Sequence, residues 1–327
     1  MLRLLDRYQV LIAFAVILTL LAAWHLKYLL VTLFGSYVLA ASMLIPTEWI
    51  TKRGVPRPGA ILISYGGALL ILASLLTLVI APASNDIARF VGTLPTYLNQ
   101  FTTMIERLGF GSIDTANLVT AIQTEIVRIT TGFASAVSGL ALALIVSIYL
   151  VSDWERIHKA LSELAPKKQQ STLNCFFERS RHSIASWVRG QLILSFLIGA
   201  LSYVGLLLLG IPFASVLAIF AALLEFIPVI GAVIAALPAL IVAFSISPLE
   251  ALFVLILYTA IQQVEGQLLA PLVMKRAVSL HPIVIIFAIL VGFQVLGIVG
   301  ALLAVPFFAV LWVAVSMWRA RDKSIPS

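Results

Sequence analysis

The sequence predicts an all-α, polytopic integral membrane protein with about six full spans, two re-entrant or broken helical hairpins and amphipathic surface helices. Three observations carry this prediction. Of the 327 residues, 61% are hydrophobic and only 11% are charged, against about 25% charged in a soluble domain. The apolar residues gather in runs long enough to cross a hydrocarbon layer of about 30 Å. Two of these runs, 212–245 and 282–318, are interrupted by proline and glycine where a simple span would be continuous.

Composition also excludes several classes. The net charge of +7 does not point to nucleic acid as a partner, because the basic residues sit in short clusters beside apolar runs, where they orient a chain in the bilayer. A single cysteine, Cys175, rules out a disulfide framework and a cysteine-based metal centre. His25, His158, His182 and His281 lie far apart, and none pairs at helix spacing, so no metal site is expected.

Residues 1–81 read as three spans. The run 8–23 follows Arg3 and Arg7 and resembles a signal-peptide core, but a second run, 28–45, begins almost at once, so a retained helical hairpin is expected, with cleavage as the alternative. Pro46 closes that run, Lys52, Arg53 and Arg57 mark a basic turn, and 59–81 is the third span. Residues 82–132 change character: Ile87, Phe90, Val91 and Leu94, then Tyr97, Leu98, Phe101, Ile105 and Leu108, form helical stripes separated by Pro95, and Leu118, Ile122, Ile126 and Ile129 form another. Extracytoplasmic amphipathic helices on the membrane surface or against a neighbouring subunit are expected there, ahead of a small globular domain.

Residues 133–152 form a fourth span whose Ala, Ser and Gly permit close packing. In 153–190 the apolar Phe176, Phe177, Ile184, Trp187 and Val188 share a helical face, while Arg179, Arg181, His182 and Arg189 add positive charge. A basic amphipathic segment on an anionic membrane surface, or a plain connector, fits, and both are cytoplasmic. Residues 191–318 form the transport core and 319–327 a cytoplasmic tail with Arg319, Arg321 and Lys323.

Within the core, Pro228 lacks a donor and excludes the preceding helical turn, and Gly231 permits the chain to reverse. Glu225 stands one turn earlier. A proline kink in an ordinary span is the plain reading; the carboxylate tips the balance, because an ionisable group in a membrane costs at least a few kcal/mol and marks function by default. Irregular backbone at that depth survives only inside protein or beside water. The arm 212–227 has 16 residues, roughly 24 Å and short of the hydrocarbon thickness. If both broken elements leave on the side they enter, 17 of the 21 lysines and arginines fall on one side, which the positive-inside rule makes cytoplasmic together with both termini. A single kinked crossing would instead move Lys275 and Arg276 outside. The hairpins then enter from opposite faces, interrupted at Pro228 and Gly231 in the first and at Gly292, Gly297, Gly300 and Pro306 in the second, the arrangement of a secondary transporter's site.

Glu225 and Glu265 are expected to couple ions, with Gln262 and Gln263 nearby, and Pro228, Gly231, Gln294, Gly297, Gly300 and Pro306 are expected to line the path. Gln262 and Glu265 share a helix face. A carboxylate removed from water holds its proton more firmly, the requirement for proton coupling, and a carboxylate with backbone carbonyls equally suits Na⁺; both stay open. The competing structural reading makes each carboxylate interhelical glue. The sequence contains no nucleotide phosphate loop and no hydrolase or zinc-protease motif, so no enzyme activity and no cofactor beyond H⁺ or Na⁺ is expected. Transport is gradient-driven or passive.

The blocks Leu224-Glu225-Phe226-Ile227-Pro228-Val229-Ile230-Gly231, Gln262-Gln263-Val264-Glu265-Gly266, Pro271-Leu272-Val273-Met274, Leu280-His281-Pro282 and Leu296-Gly297-Ile298-Val299-Gly300, continuing to Pro306, closely resemble the bacterial autoinducer-2 exporter family, also called PerM-like permeases. Order and spacing match across the C-terminal third, and the earlier spans are laid out similarly over nearly the whole chain. The resemblance implies a multi-pass transporter of the bacterial inner membrane, forming a homo-oligomer in the lipid bilayer and carrying a small polar solute or a monovalent cation. Members are described as exporting autoinducer-2 or as Na⁺(Li⁺)/H⁺ antiporters. Glu225, Pro228, Gly231, Gln262, Gln263, Glu265, Pro271, His281, Pro282, Gly297, Gly300 and Pro306 match the family's motifs. A membrane scaffold or passive pore with structural carboxylates is the alternative of another class.

Overall fold

The computed structural model describes residues 25–107, 139–274 and 281–322, with the isolated positions 14, 18 and 21. The span expected over 8–23, the stripe Leu118, Ile122, Ile126 and Ile129, and Lys275 with Arg276 lie outside the described residues. Among the described residues the regular structure is all helical: α1 (Lys27–Thr51), α2 (Arg57–Arg107), α3 (Gly139–Ser152), α4 (Trp154–Glu163), α5 (Lys167–Leu208), α6 (Ala214–Leu224), α7 (Ile230–Ile246), α8 (Pro248–Met274) and α9 (Pro282–Asp322). Segments of α1, α2, α5, α8 and α9 are long and apolar enough to cross a bilayer. Helices α6 and α7 have 11 and 17 residues, roughly 16 and 25 Å, short of the hydrocarbon thickness.

Two helices run further than local signals suggest. Helix α2 has 51 residues and continues through Pro82 and Pro95, where a break was expected. An interior proline costs about 3 kcal/mol, and tertiary packing offsets it: Phe90 and Tyr97 meet Phe213 edge-on, Phe101 meets Phe244, and Ser215 donates to Asp86. Phe90, Tyr97 and Phe101 of the stripe expected to face lipid or a neighbour are therefore covered by the chain's own α6 and α7, while Val91 is exposed. Helix α5 has 42 residues, roughly 63 Å, about twice the hydrocarbon thickness. Its first half extends the span as one rod. The apolar face expected to lie on lipid is instead core: Ile184 packs with Val38 and Ala41, and Trp187 with Ala288 and Ile289.

Arg181, expected to add positive charge at the membrane surface, is buried and bridges Glu48 of α1 and Glu178 of its own helix, 2.6 Å from the former. Beside it Arg57 bonds Glu155 and the Val151 carbonyl, and Tyr37, Trp154 and His158 stack in series. This is the basic end of the molecule. Arg181→Met is expected to lower stability by about 2 kcal/mol, the scale of a charge-assisted hydrogen bond, read as a fall in melting temperature in detergent. Glu155→Gln, whose carboxylate is mostly exposed, should change it by less than about 1 kcal/mol.

Both open ends of the α6–α7 hairpin lie at the far end of α2: Phe213 against Phe90, Phe244 against Phe101. Its tip, 225–229, therefore points toward the basic end. Leu217 and Ala221 of one arm pack with Ala235, Ala239 and Val242 of the other. Helix α9 is a second hairpin. Only Gly297 leaves the helix, at φ 63° and ψ −146°, a conformation open essentially to glycine. Gly292 and Gly300 are not breaks, as expected from sequence, but helical residues whose backbones touch across the two limbs. Pro306 likewise sits inside the second limb, buried. That limb passes Gly35 with Leu303 and then Val38 and Ile184 with Val310. It runs toward the basic end, so the two hairpins are opposed.

Candidate functional site

Proline at 228 shapes the tip of the first hairpin. Without its N–H the α-helical ladder stops: Glu225 N–H still reaches the Ala221 carbonyl, but Phe226 and Ile227 fall back to Leu223 and Leu224. Ile230 N–H then closes a three-residue turn on the Pro228 carbonyl at 2.8 Å, with Val229 at φ 67° and ψ −57°. This is the rare, strained form of γ-turn, held here by a β-branched residue. Such strain persists only where its surroundings over-determine it, and it clusters at functional sites.

Glu225 stands at the end of α6, three residues before Pro228, and is 1% exposed. Glu265 comes from α8, at the first residue of a π-helical turn, Glu265–Leu269, in which the Ala270 N–H bonds back to the Glu265 carbonyl. Widened turns of this kind recur at functional sites, and this one precedes Pro271, which removes the next regular donor. Glu265 is 8% exposed and accepts from Gln262 Nε2 at 2.8 Å. The carboxyls of Glu225 and Glu265 lie within hydrogen-bonding reach of each other. Both groups are acceptors when ionised, so they bond each other only through a shared proton.

The structure thus brings Glu225, Glu265 and Gln262 together at the tip formed by Pro228 and Gly231. Ile227 and Ile230 of the tip pack with Ala288, Ile289, Ala301 and Ala304 of the second hairpin, so the opposed hairpins meet beside the pair. Other expected residues stand elsewhere. Gln263 is exposed and accepts from Gln267 at 2.8 Å. Gln294 is exposed on the first limb of α9. His281 caps that limb, its ring nitrogen near the Ile283 N–H and its carbonyl accepting from Val284, with Pro282 at the first helical position. Pro271 is exposed in the last turn of α8.

Two residues were not foreseen. Gln191, 1% exposed, donates from Nε2 to the Glu225 carbonyl, and Ser195 donates to the Ala222 carbonyl. Both come from α5, four residues apart on one face. A glutamine and a serine at helix spacing within an apolar run were the available signal. Among the described residues no cluster of His, Cys, Asp and Glu could hold a metal ion.

Comparison with known proteins identifies the family. The profile of the family described as AI-2E family transporter matches residues 12–320. YrrI of Bacillus subtilis, a candidate transport protein, is 29% identical over 305 residues, covering 86% of this chain and 83% of its own. YhhT of Escherichia coli, also a candidate transport protein, is 26% identical over 325 residues, 92% of this chain and 88% of its own. TqsA of Escherichia coli, named an AI-2 transport protein, is 26% identical over 281 residues, 82% of this chain and 79% of its own. With the family match running over nearly its whole length, the chain belongs to the AI-2E family of transporters.

Proposed function

We propose that the protein is a gradient-driven exporter of a small polar solute of the autoinducer-2 kind, coupled to ion movement through the Glu225–Glu265 pair. The observation that carries this reading is the pair itself: two carboxyls, closed to solvent, at the strained tip of one hairpin and the widened turn of α8. A static scaffold has no use for a group whose burial costs several kcal/mol. The name of the relative TqsA supports the choice of solute. In this reading the end carrying Lys52, Arg57 and Arg181 faces the cytoplasm of a bacterial cell, the protein sits in the inner membrane as an oligomer, and solute passes as the opposed hairpins open in alternation.

Charge balance favours cation/proton antiport as a second reading. A pair sharing one proton bears one negative charge, and 191–274 contains no Lys, Arg or His to offset it. Neutrality then requires a second proton or a monovalent cation. Proteoliposomes supplied with autoinducer-2 or radioactive sodium, under an imposed pH or Na⁺ gradient, separate the readings. Autoinducer-2 movement that follows the pH gradient and disappears in Glu225→Gln supports export; sodium movement alone, with counter-flow of protons, supports antiport. Flux that ignores both gradients and survives Glu225→Gln combined with Glu265→Gln overturns both.

A further inference from the structure

The break between α6 and α7 leaves the carbonyls of Ala222 and Glu225 without a backbone donor. Those of Ala221, Leu223, Leu224, Ile227 and Pro228 each accept from a backbone N–H. Those of Ala222 and Glu225 accept from Ser195 and Gln191 of α5 instead. Helix α5, continuous and braced at its basic end by Arg181, is the fixed body to which the tip is tied. Gln191 therefore grips the same residue whose carboxyl pairs with Glu265.

Its amide has a second atom with no use yet described. Gln191 Oε1 is buried without a donor, and so is Glu225 Oε2. Buried polar atoms lacking a partner are uncommon, and each calls for a cause. Both are acceptors, so neither satisfies the other while Glu225 Oε2 is bare. A proton carried on Glu225 Oε2 becomes a donor that Gln191 Oε1 can accept. Among the described residues, the elements packed against the tip present one other ionisable group to it, Glu265, with Arg189 of α5 exposed; α5 adds the neutral Gln191, Ser195 and Trp187, α8 adds Gln262, and α9 adds Ala288, Ile289, Ala301 and Ala304.

We propose that Gln191 is a positioning residue that ties the protonation of Glu225 to movement of the hairpin tip. With the proton in place, Gln191 holds the tip twice, through Nε2 to the carbonyl and through Oε1 from the carboxyl of Glu225. When the proton leaves for water, one of these bonds goes and two buried acceptors are left unsatisfied, which costs more than the bond itself contributed. The tip is then released from α5. The inference rests on the transport reading above, and it names the residue that converts a proton into motion.

The test measures tip position directly and needs no substrate. Spin labels at Phe226→Cys on the tip and Asn99→Cys on α2, in a Cys175→Ser background, report their separation by electron–electron resonance in lipid nanodiscs. The ratio of the two populations is expected to change by about fivefold or more between acidic and alkaline buffer, the lower range of coupling between linked sites. Gln191→Met, equal in length but without the amide, should abolish that response. Ser195→Ala, which removes only an anchor, should shift the populations and keep the response. If Gln191→Met fails gel filtration, Gln191→Asn, one methylene short of the tip, is expected to lose the response as well. A response that survives either Gln191 variant overturns the proposal, as does a parent whose tip ignores pH. Failure of the transport reading looks different: gradient-driven flux would then be untouched by Glu225→Gln.

Discussion

Gly231→Ala is expected to prevent the first hairpin from closing and to leave little folded protein. A β carbon at that position would stand 1.8 Å from the Leu224 carbonyl oxygen and 2.5 Å from its carbon. The obstacle is backbone, which cannot swing aside as a side chain can. Relief would require moving α6 away from α7, parting the layer in which Leu217 and Ala221 meet Ala235, Ala239 and Val242. The cost should exceed about 4 kcal/mol, at the extreme of single substitutions and traceable to overpacking. Fluorescence-detected gel filtration after heating measures it. Gly67→Ala is the control, since a β carbon there meets nothing within 4 Å; it should fall within about 0.5 kcal/mol of the parent. Were Gly231→Ala to melt with the parent, the tight reversal after Pro228 would be wrong, and the placement of Glu225 would fall with it.

What could be read in advance depended on how local its cause was. The break at Pro228 is local: a missing N–H and a ring clash act within one turn whatever surrounds them. Glu225 beside it, and Gln262 three residues from Glu265, followed from helix geometry alone. The same geometry was available against Gln263, which stands two residues from Glu265 and so turns to the opposite face. The continuity of α2 through Pro82 and Pro95 was not legible, because the packing that offsets the prolines comes from Phe213 and Phe244, far away in sequence. Glycine misled for a related reason. A glycine that permits a turn, such as Gly297, and glycines that let two backbones touch, such as Gly292 and Gly300, look alike in a sequence and separate only in space. Gln191 was hidden in the same way, since a polar residue at the start of a span gains meaning only from the carbonyl it meets.

The second large effect concerns the carboxyl pair. Glu225→Gln and Glu265→Gln are each expected to lower gradient-driven flux about a hundredfold, equivalent to ~3 kcal/mol, the upper range for residues coupled in one network. An amide has nearly the shape of a carboxyl but cannot gain or lose a proton, so each variant removes the exchange while sparing the packing of Ile227 and Ile230 against the second hairpin. In the proposed coupling the two carboxyls act as one unit, so the first substitution already ends the exchange. The double variant should therefore be no slower than either single one, and the effects should fail to add by nearly the whole of one of them. A carbodiimide, which reacts with protonated carboxyls in apolar surroundings, gives an independent reading: it should modify one carboxyl of the pair per chain, and modification should stop when both are amides. Additive losses in flux would mean that Glu225 and Glu265 act as separate groups, and coupling through a shared proton would have to be abandoned.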